Sequence, residues 1–263
     1  MTNIRRAYVD GPYGQVHLRA AGDGGRPLLL LHQSPISSIQ FEAALPLLAK
    51  AGFHAVAMDT PGFGQSDRPA EPVGIAGYAS AIAPVLDALG WETADIVGHH
   101  TGALIAAAFA NRHGARTRKL ILNGVALLSD EDRAYFAQFN FAPLNPVADG
   151  SHLIAAWNQR LAASPGWSNL SAMHRYTVEM LSKPDDYSWG FEAAFAYDME
   201  AALAGIAAPT LILTNTGEDL FEASKRAHSL RPDFAFLALE GGTHDIVDEQ
   251  PEAWVRAVTD WLS

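Results

Sequence analysis

Residues 94–110 constrain this 263-residue chain more than any other stretch. Ala94-Asp95-Ile96-Val97 is a short, mostly apolar run. Gly98-His99-His100-Thr101-Gly102 follows, and then Ala103-Leu104-Ile105-Ala106-Ala107-Ala108-Phe109-Ala110. The first piece reads as a buried strand and the last as a buried helix, joined by a glycine-bounded turn. Small residues on both sides of that turn let the backbone double back closely. The side chain at its centre, His100, then stands above the end of a sheet.

The same strand–helix rhythm runs through both ends of the chain. Pro27-Leu28-Leu29-Leu30-Leu31 is continuously apolar, as a strand buried on both faces must be. His54–Asp59, Lys119–Asn123, Thr210–Leu213 and Phe234–Leu239 read as further strands. Helices are expected from Ser37 to Lys50, with Ser37 and Gln40 as a capping box. Others are expected over Tyr78–Leu89, Glu222–Leu230 and Glu252–Leu262. Tyr8–Arg19 reads as an antiparallel hairpin turning at Gly11-Pro12-Tyr13-Gly14. Alternation of this kind predicts an α/β fold with a mostly parallel sheet and helices on both faces. Reactive groups then belong at the carboxyl ends of the strands. From Ser129 to Ala204 the rhythm stops. That stretch is helix-like and rich in aromatics, among them Phe141, Trp157, Trp167, Tyr187 and Trp189. The expected organisation is a core of residues 1–128 and 205–263 with a helical cap at 129–204.

Composition narrows the function. A net charge of −11 argues against nucleic acid, which needs clustered Lys and Arg. The locally basic run Arg116-Thr117-Arg118-Lys119 is read as capping the end of the buried helix. There is no cysteine, which excludes disulfides, thiolate metal sites and cysteine nucleophiles. No apolar leader opens the sequence and no run reaches the ~18 residues of a membrane span. A cytoplasmic protein with a small-molecule substrate and no membrane or nucleic-acid partner is expected.

Five motifs stand in order along the chain. They are His32-Gln33-Ser34-Pro35, Asp59-Thr60-Pro61-Gly62-Phe63-Gly64-Gln65-Ser66-Asp67, Gly98–Gly102, Gly217-Glu218-Asp219 and Gly242-Thr243-His244. Together they resemble the α/β-hydrolase superfamily: oxyanion loop, Asp-x-x-Gly-x-Gly-x-Ser-Asp loop, nucleophile elbow, acid turn and catalytic-histidine loop. The order of nucleophile, acid and histidine is that of the family. The resemblance implies the α/β-hydrolase fold with an inserted cap. It also implies backbone N–H groups of Ser34 and Thr101 as the oxyanion hole, and His244 as a base oriented by Asp219, with Glu218 as the alternative acid.

The departures bear on chemistry. His100 stands where the family has Ser, Cys or Asp, and Gln33 where it usually has Gly. Without a carboxylate at the elbow there is no alkyl-ester intermediate, which argues against dehalogenase and epoxide hydrolase activity. An imidazole there can attack an activated acyl group or serve as a base. Asp245 is read as a surface residue. His99 is read as packing under the turn, and His32 as lining the pocket floor. Trp157, Trp167 and Trp189 are candidate substrate contacts, in keeping with a small apolar or aromatic substrate.

Four readings follow. The first is a cofactor-free hydrolase of an ester, lactone or ketone, using His100, Asp219 and His244. The second is a cofactor-free lyase, isomerase, cyclase or oxygenase. The third is a ligand-binding protein without catalysis. The fourth, zinc held by His32, His100 and His244, is disfavoured because these spacings follow the fold rather than a metal motif.

Overall fold

Eight strands form one sheet in the computed structural model, which describes residues 3–139, 144–183 and 188–263. They are β1 (Arg5–Gly11), β2 (Gly14–Ala21), β3 (Arg26–Leu31), β4 (Phe53–Met58), β5 (Ala94–His99), β6 (Thr117–Asn123), β7 (Thr210–Asn215) and β8 (Ala235–Leu239). Their order across the sheet is β1-β2-β4-β3-β5-β6-β7-β8. β1 and β2 pair antiparallel, as do β2 and β4. All later pairings are parallel.

The apolar run in β3 is central, and its residues divide between the two faces. Leu29 and Leu31 join the core under the elbow helix Thr101–Arg112. Leu28 and Leu30 join the opposite core with Phe41, Leu45 and Trp254. Two covered faces are why the run shows no polar alternation. Between β6 and β7 the described residues hold helices and no strand: Asp130–Phe136, Ser151–Ala163, Leu170–Ser182, Trp189–Ala196 and Met199–Gly205. Phe141 and Tyr187, counted among the aromatics of this stretch, lie outside the described residues. Among the described residues no helix is long and apolar enough to cross a membrane.

Three local expectations need correction. The helix expected over Tyr78–Leu89 is two helices, Gly74–Ala79 and Ile82–Ala88. Pro84 explains the break. Inside one long helix it would remove a hydrogen bond and clash, at a cost of about 3 kcal/mol. In the first turn of a new helix its missing N–H has no partner to lose. The helix expected from Ser37 is likewise interrupted: a short 3-10 turn spans Ser38–Phe41 and the α-helix starts at Ala44. Gln40 does not close a capping box, because its side chain is used elsewhere. Its Oε1 accepts from the Gln33 N–H at 2.9 Å and its Nε2 donates to His99 Nδ1 at 3.0 Å.

The basic run does not cap the buried helix either. Arg116 reaches Asp87 and the Trp91 and Glu92 carbonyls, and Arg118 pairs with the buried Asp95. Lys119 donates to carbonyls of the C-terminal residues Trp261 and Ser263. These cations tie strand ends to neighbouring turns, and the last helical turn carries Arg112 instead.

Candidate active site

The elbow is built as its glycines require. His100 has φ 51° and ψ −111°, and it is the one non-glycine residue with positive φ among the described residues. Such a conformation costs on the order of 1–3 kcal/mol and persists only where its surroundings over-determine it. Here they do. His100 N–H donates to the Asn123 carbonyl at 2.8 Å, and its own carbonyl accepts from Ala103 N–H at 2.8 Å. A Cβ on Gly98 would strike the Gly102 carbonyl, and one on Gly102 would strike the Leu31 carbonyl. Only glycine lets strand, turn and helix approach this closely.

The imidazole raised by this turn meets a carboxylate. His100 Nε2 lies 2.6 Å from Glu218 Oε2. The Glu218 side chain is fully buried, while that of His100 keeps 16% exposure. The other carboxylate oxygen accepts from the Thr214 hydroxyl and from Asn215 N–H. Glu218 is therefore fixed at both oxygens, and it fixes the ring. With Nε2–H donating to the carboxylate, the lone pair of the neutral ring sits on Nδ1.

Gly124, just past β6, leaves the room for this pair. It has φ +68°, and a Cβ there would lie 2.6 Å from His100 Nε2 and 2.9 Å from Glu218 Oε2. Gly124→Ala is expected to displace the ring and destabilise the protein by about 1–3 kcal/mol. Denaturant unfolding measures this, and an unchanged midpoint would mean that the turn has slack.

The carboxylate that meets an imidazole is thus that of Glu218 rather than Asp219, and the imidazole is that of His100 rather than His244. The turn after β7 decides which carboxylate faces inward. Glu218 N–H returns to the Asn215 carbonyl, and Gly217 packs against the Gly242 carbonyl so tightly that a side chain there would collide. Asp219 is exposed at the next position, interacting with Tyr135.

His244 is held by a different group. Its ring centroid is 6.0 Å from that of His100. Its Nε2 accepts from Arg160, on the helix Ser151–Ala163, at 3.0 Å. The same guanidinium nitrogen reaches Ser164 Oγ at 2.6 Å and also Asp245 Oδ2, so its two hydrogens are shared among three acceptors. Burial, together with Arg160 and His100, outweighs the pull of Asp245 and Glu218 and lowers the His244 pKa to about 4. Asp245, expected at the surface, is 2% exposed. It is bonded by Arg160, by Ser164 and by Gln33 Nε2 at 2.8 Å. Gln33, where the superfamily usually has Gly, thus supplies a partner to a buried carboxylate.

The remaining candidates fall into two groups. Ser34 and Thr101 come together: Ser34 N–H points at Thr101 Oγ1 at 3.4 Å, and Thr101 opens the elbow helix. The first N–H groups of a helix have no partner within it, so the Thr101 N–H is suited to an oxyanion. His32 is engaged at both ring nitrogens, Nδ1 with the Gln33 carbonyl and Nε2 accepting from Thr60 N–H. It is a structural strut in this arrangement, and neither nitrogen is left for a metal or a substrate. Among the described residues no group of three His, Asp or Glu side chains is placed to hold a metal ion.

His99 is buried beneath the elbow. Burial, with His100 and His244 nearby, holds its pKa well below the ordinary value. Trp167 lies 6.2 Å from Tyr176, whose ring sits 5.5 Å from the Arg160 guanidinium. Trp157 shares a helix face with Arg160, three residues on. Trp189 stacks on Arg68 at 4.9 Å. Arg160, Ser164, Asp245 and Gly124 were not among the expected site residues. An arginine in an aromatic-rich helix carries no local signal, although Gln33 lies within one expected motif and Asp245 directly follows another.

The profile of the alpha/beta hydrolase fold matches residues 26–251. The chain belongs to that family. Over 265 aligned residues it is 28% identical to a Caulobacter protein (strain K31) named as a carbamate hydrolase, with 97% of each chain covered. It is 39% identical over 113 residues to a 2-hydroxymuconate semialdehyde hydrolase of Pseudomonas sp. strain CF600, a match that covers 40% of this chain and 38% of that one. The solved enol-lactonase of Burkholderia xenovorans LB400 superposes with a TM-score of 0.80 at 22% identity, over 97% of this chain and 99% of that one. Family membership and these hydrolase relatives make the chain an α/β-fold hydrolase.

Proposed function

We propose that this protein is a cofactor-free hydrolase of a small apolar or aromatic carbonyl compound, an ester, lactone or ketone, in which His100 activates water. The 2.6 Å contact between His100 Nε2 and the buried Glu218 carboxylate carries the reading. A carboxylate at one ring nitrogen fixes the tautomer and orients the ring, and it stabilises the imidazolium that forms when the other nitrogen takes a proton. In this scheme Nδ1 takes a proton from water as its oxygen attacks the carbonyl carbon. The oxyanion forms against the Thr101 N–H and the Ser34 N–H, the latter giving up its 3.4 Å contact with Thr101 Oγ1. The leaving group then departs with the proton that His100 returns. Two relatives are named for a carbamate and a semialdehyde, both carbonyl compounds, which agrees with the substrate class.

Residues 129–204 act in this proposal as a cap over the site. Two contacts support it: Arg160 reaches the His244 loop, and Gly190 packs so closely on Ser34 that a Cβ would collide with that side chain.

Proton abstraction from carbon would use the same dyad, so the isotope experiment is the discriminating one. Turnover of an ester and lactone panel in ¹⁸O-water is expected to place label in the acid product. Solvent deuterium on product carbon without ¹⁸O would instead mean lyase or isomerase chemistry. Glu218→Gln is expected to lower kcat/KM by at least about 10²-fold, and unchanged turnover would sink the dyad.

A further inference from the structure

His244 occupies the position of the superfamily's catalytic base, yet its Nε2 is already engaged. In a nucleophile–His–acid arrangement that nitrogen must be free to take a proton from the elbow residue. Here it faces a guanidinium nitrogen 3.0 Å away. Arginine carries only donors and stays charged. However its two hydrogens are shared, a cation at this distance disfavours a proton on Nε2. The acid that would orient the ring from its other side is committed to His100.

We propose that Arg160 is a positioning residue: it holds His244 as a neutral, Nδ1-protonated ring with Nε2 as acceptor, and so removes it from the base role. The functional consequence, a division of labour in which His100 is the base and His244 is not, rests on the reading given under Proposed function. The tautomer itself does not.

The surroundings agree. Arg160 is 3% exposed, so water does not screen it. Its neighbours on the same helix end and on the histidine loop, Ser164 and Asp245, hold it against His244. The charged and titratable groups facing the ring are Arg160, Asp245, His100, Glu218 and His99. Asp245 Oδ2 lies 3.7 Å from His244 Nε2. It is the natural acceptor for an Nε2–H, but the guanidinium donates to it in the ring's place. Removing the Arg160 charge leaves carboxylate and imidazole facing each other.

Nitrogen-15 NMR of the histidine-labelled protein tests this directly. The wild-type His244 is expected as the Nδ1–H tautomer, neutral down to a midpoint near pH 4. In Arg160→Gln the proton should move to Nε2, toward Asp245, and the midpoint should rise by about one to three units. Arg160→Lys keeps the charge and is expected to restore the wild-type tautomer. An Nε2–H signal in the wild type overturns the proposal and needs no variant to be folded. So does an unchanged tautomer and midpoint in Arg160→Gln. These spectra do not depend on turnover. If they come out as expected while His100→Ala keeps full activity, the positioning role stands and the function proposed above falls.

Discussion

His100→Ala is expected to lower kcat about 10²–10⁴-fold with little change in thermal unfolding, the loss typical of a single general base. The side chain is partly exposed above the turn, and the packing that sets the elbow comes from Gly98, Gly102 and the backbone bonds of residue 100. Alanine must still adopt φ 51°, so the conformational cost of the turn is not relieved. Glu218, left without its ring, keeps Thr214 and Asn215 as donors.

His100→Ser is the sharper experiment. Serine brings back a family nucleophile, but here no base stands ready for it. Glu218 is positioned for an imidazole at residue 100, and His244 Nε2 is bonded to Arg160. Native turnover should therefore fall as far as in the alanine variant, without a new esterase activity. Full native turnover in both variants would reduce His100 to a pocket wall.

Much of this architecture was legible in the sequence because it is dictated by close packing. Leu28–Leu31 is apolar throughout because β3 is covered on both faces. Gly98 and Gly102 flank residue 100 because no Cβ fits there. Ser34 and Thr101 are brought together by the ends of β3 and β5. What the sequence hides is side-chain direction. Glu218 and Asp219 are adjacent acids in a turn, and a choice of one residue decides which is buried. That choice depends on Gly217 meeting Gly242, a contact made between segments far apart in the chain. Arg160 is another such case, since His244 and Asp245, which it reaches, lie 84 and 85 residues away in the chain. Pro84, by contrast, was a local signal, and it accounts for the break in a helix expected to be continuous.

The polar cluster beside the site gives the largest expected stability effect. Asp245→Ala is expected to destabilise the protein by about 3–5 kcal/mol, because it leaves a charged guanidinium buried without its counter-ion. Arg160 is 3% exposed and cannot turn to water without unpacking from Tyr176 and Ser164. Gln33 loses its acceptor in the same step. The double variant Asp245→Ala/Arg160→Met removes the unpaired charge along with the pair, so it should recover much of the loss.

The pH dependence has a defined sign. Burial alone would raise the Asp245 pKa, but His244, Arg160, Ser164 and Gln33 outweigh it and hold it below its ordinary value. A carboxylate depressed in the folded state stabilises the protein fully above its unfolded pKa, and that contribution is lost as pH falls through the folded one. Wild-type unfolding free energy should thus drop in the acid range below the ordinary carboxylate pKa. The Asp245→Ala variant should lack this component of the drop. Parallel acid profiles for the two proteins, or a loss under about 1 kcal/mol in the single variant, the range of a surface ion pair, would show that Asp245 does not hold the histidine loop to the helix Ser151–Ala163.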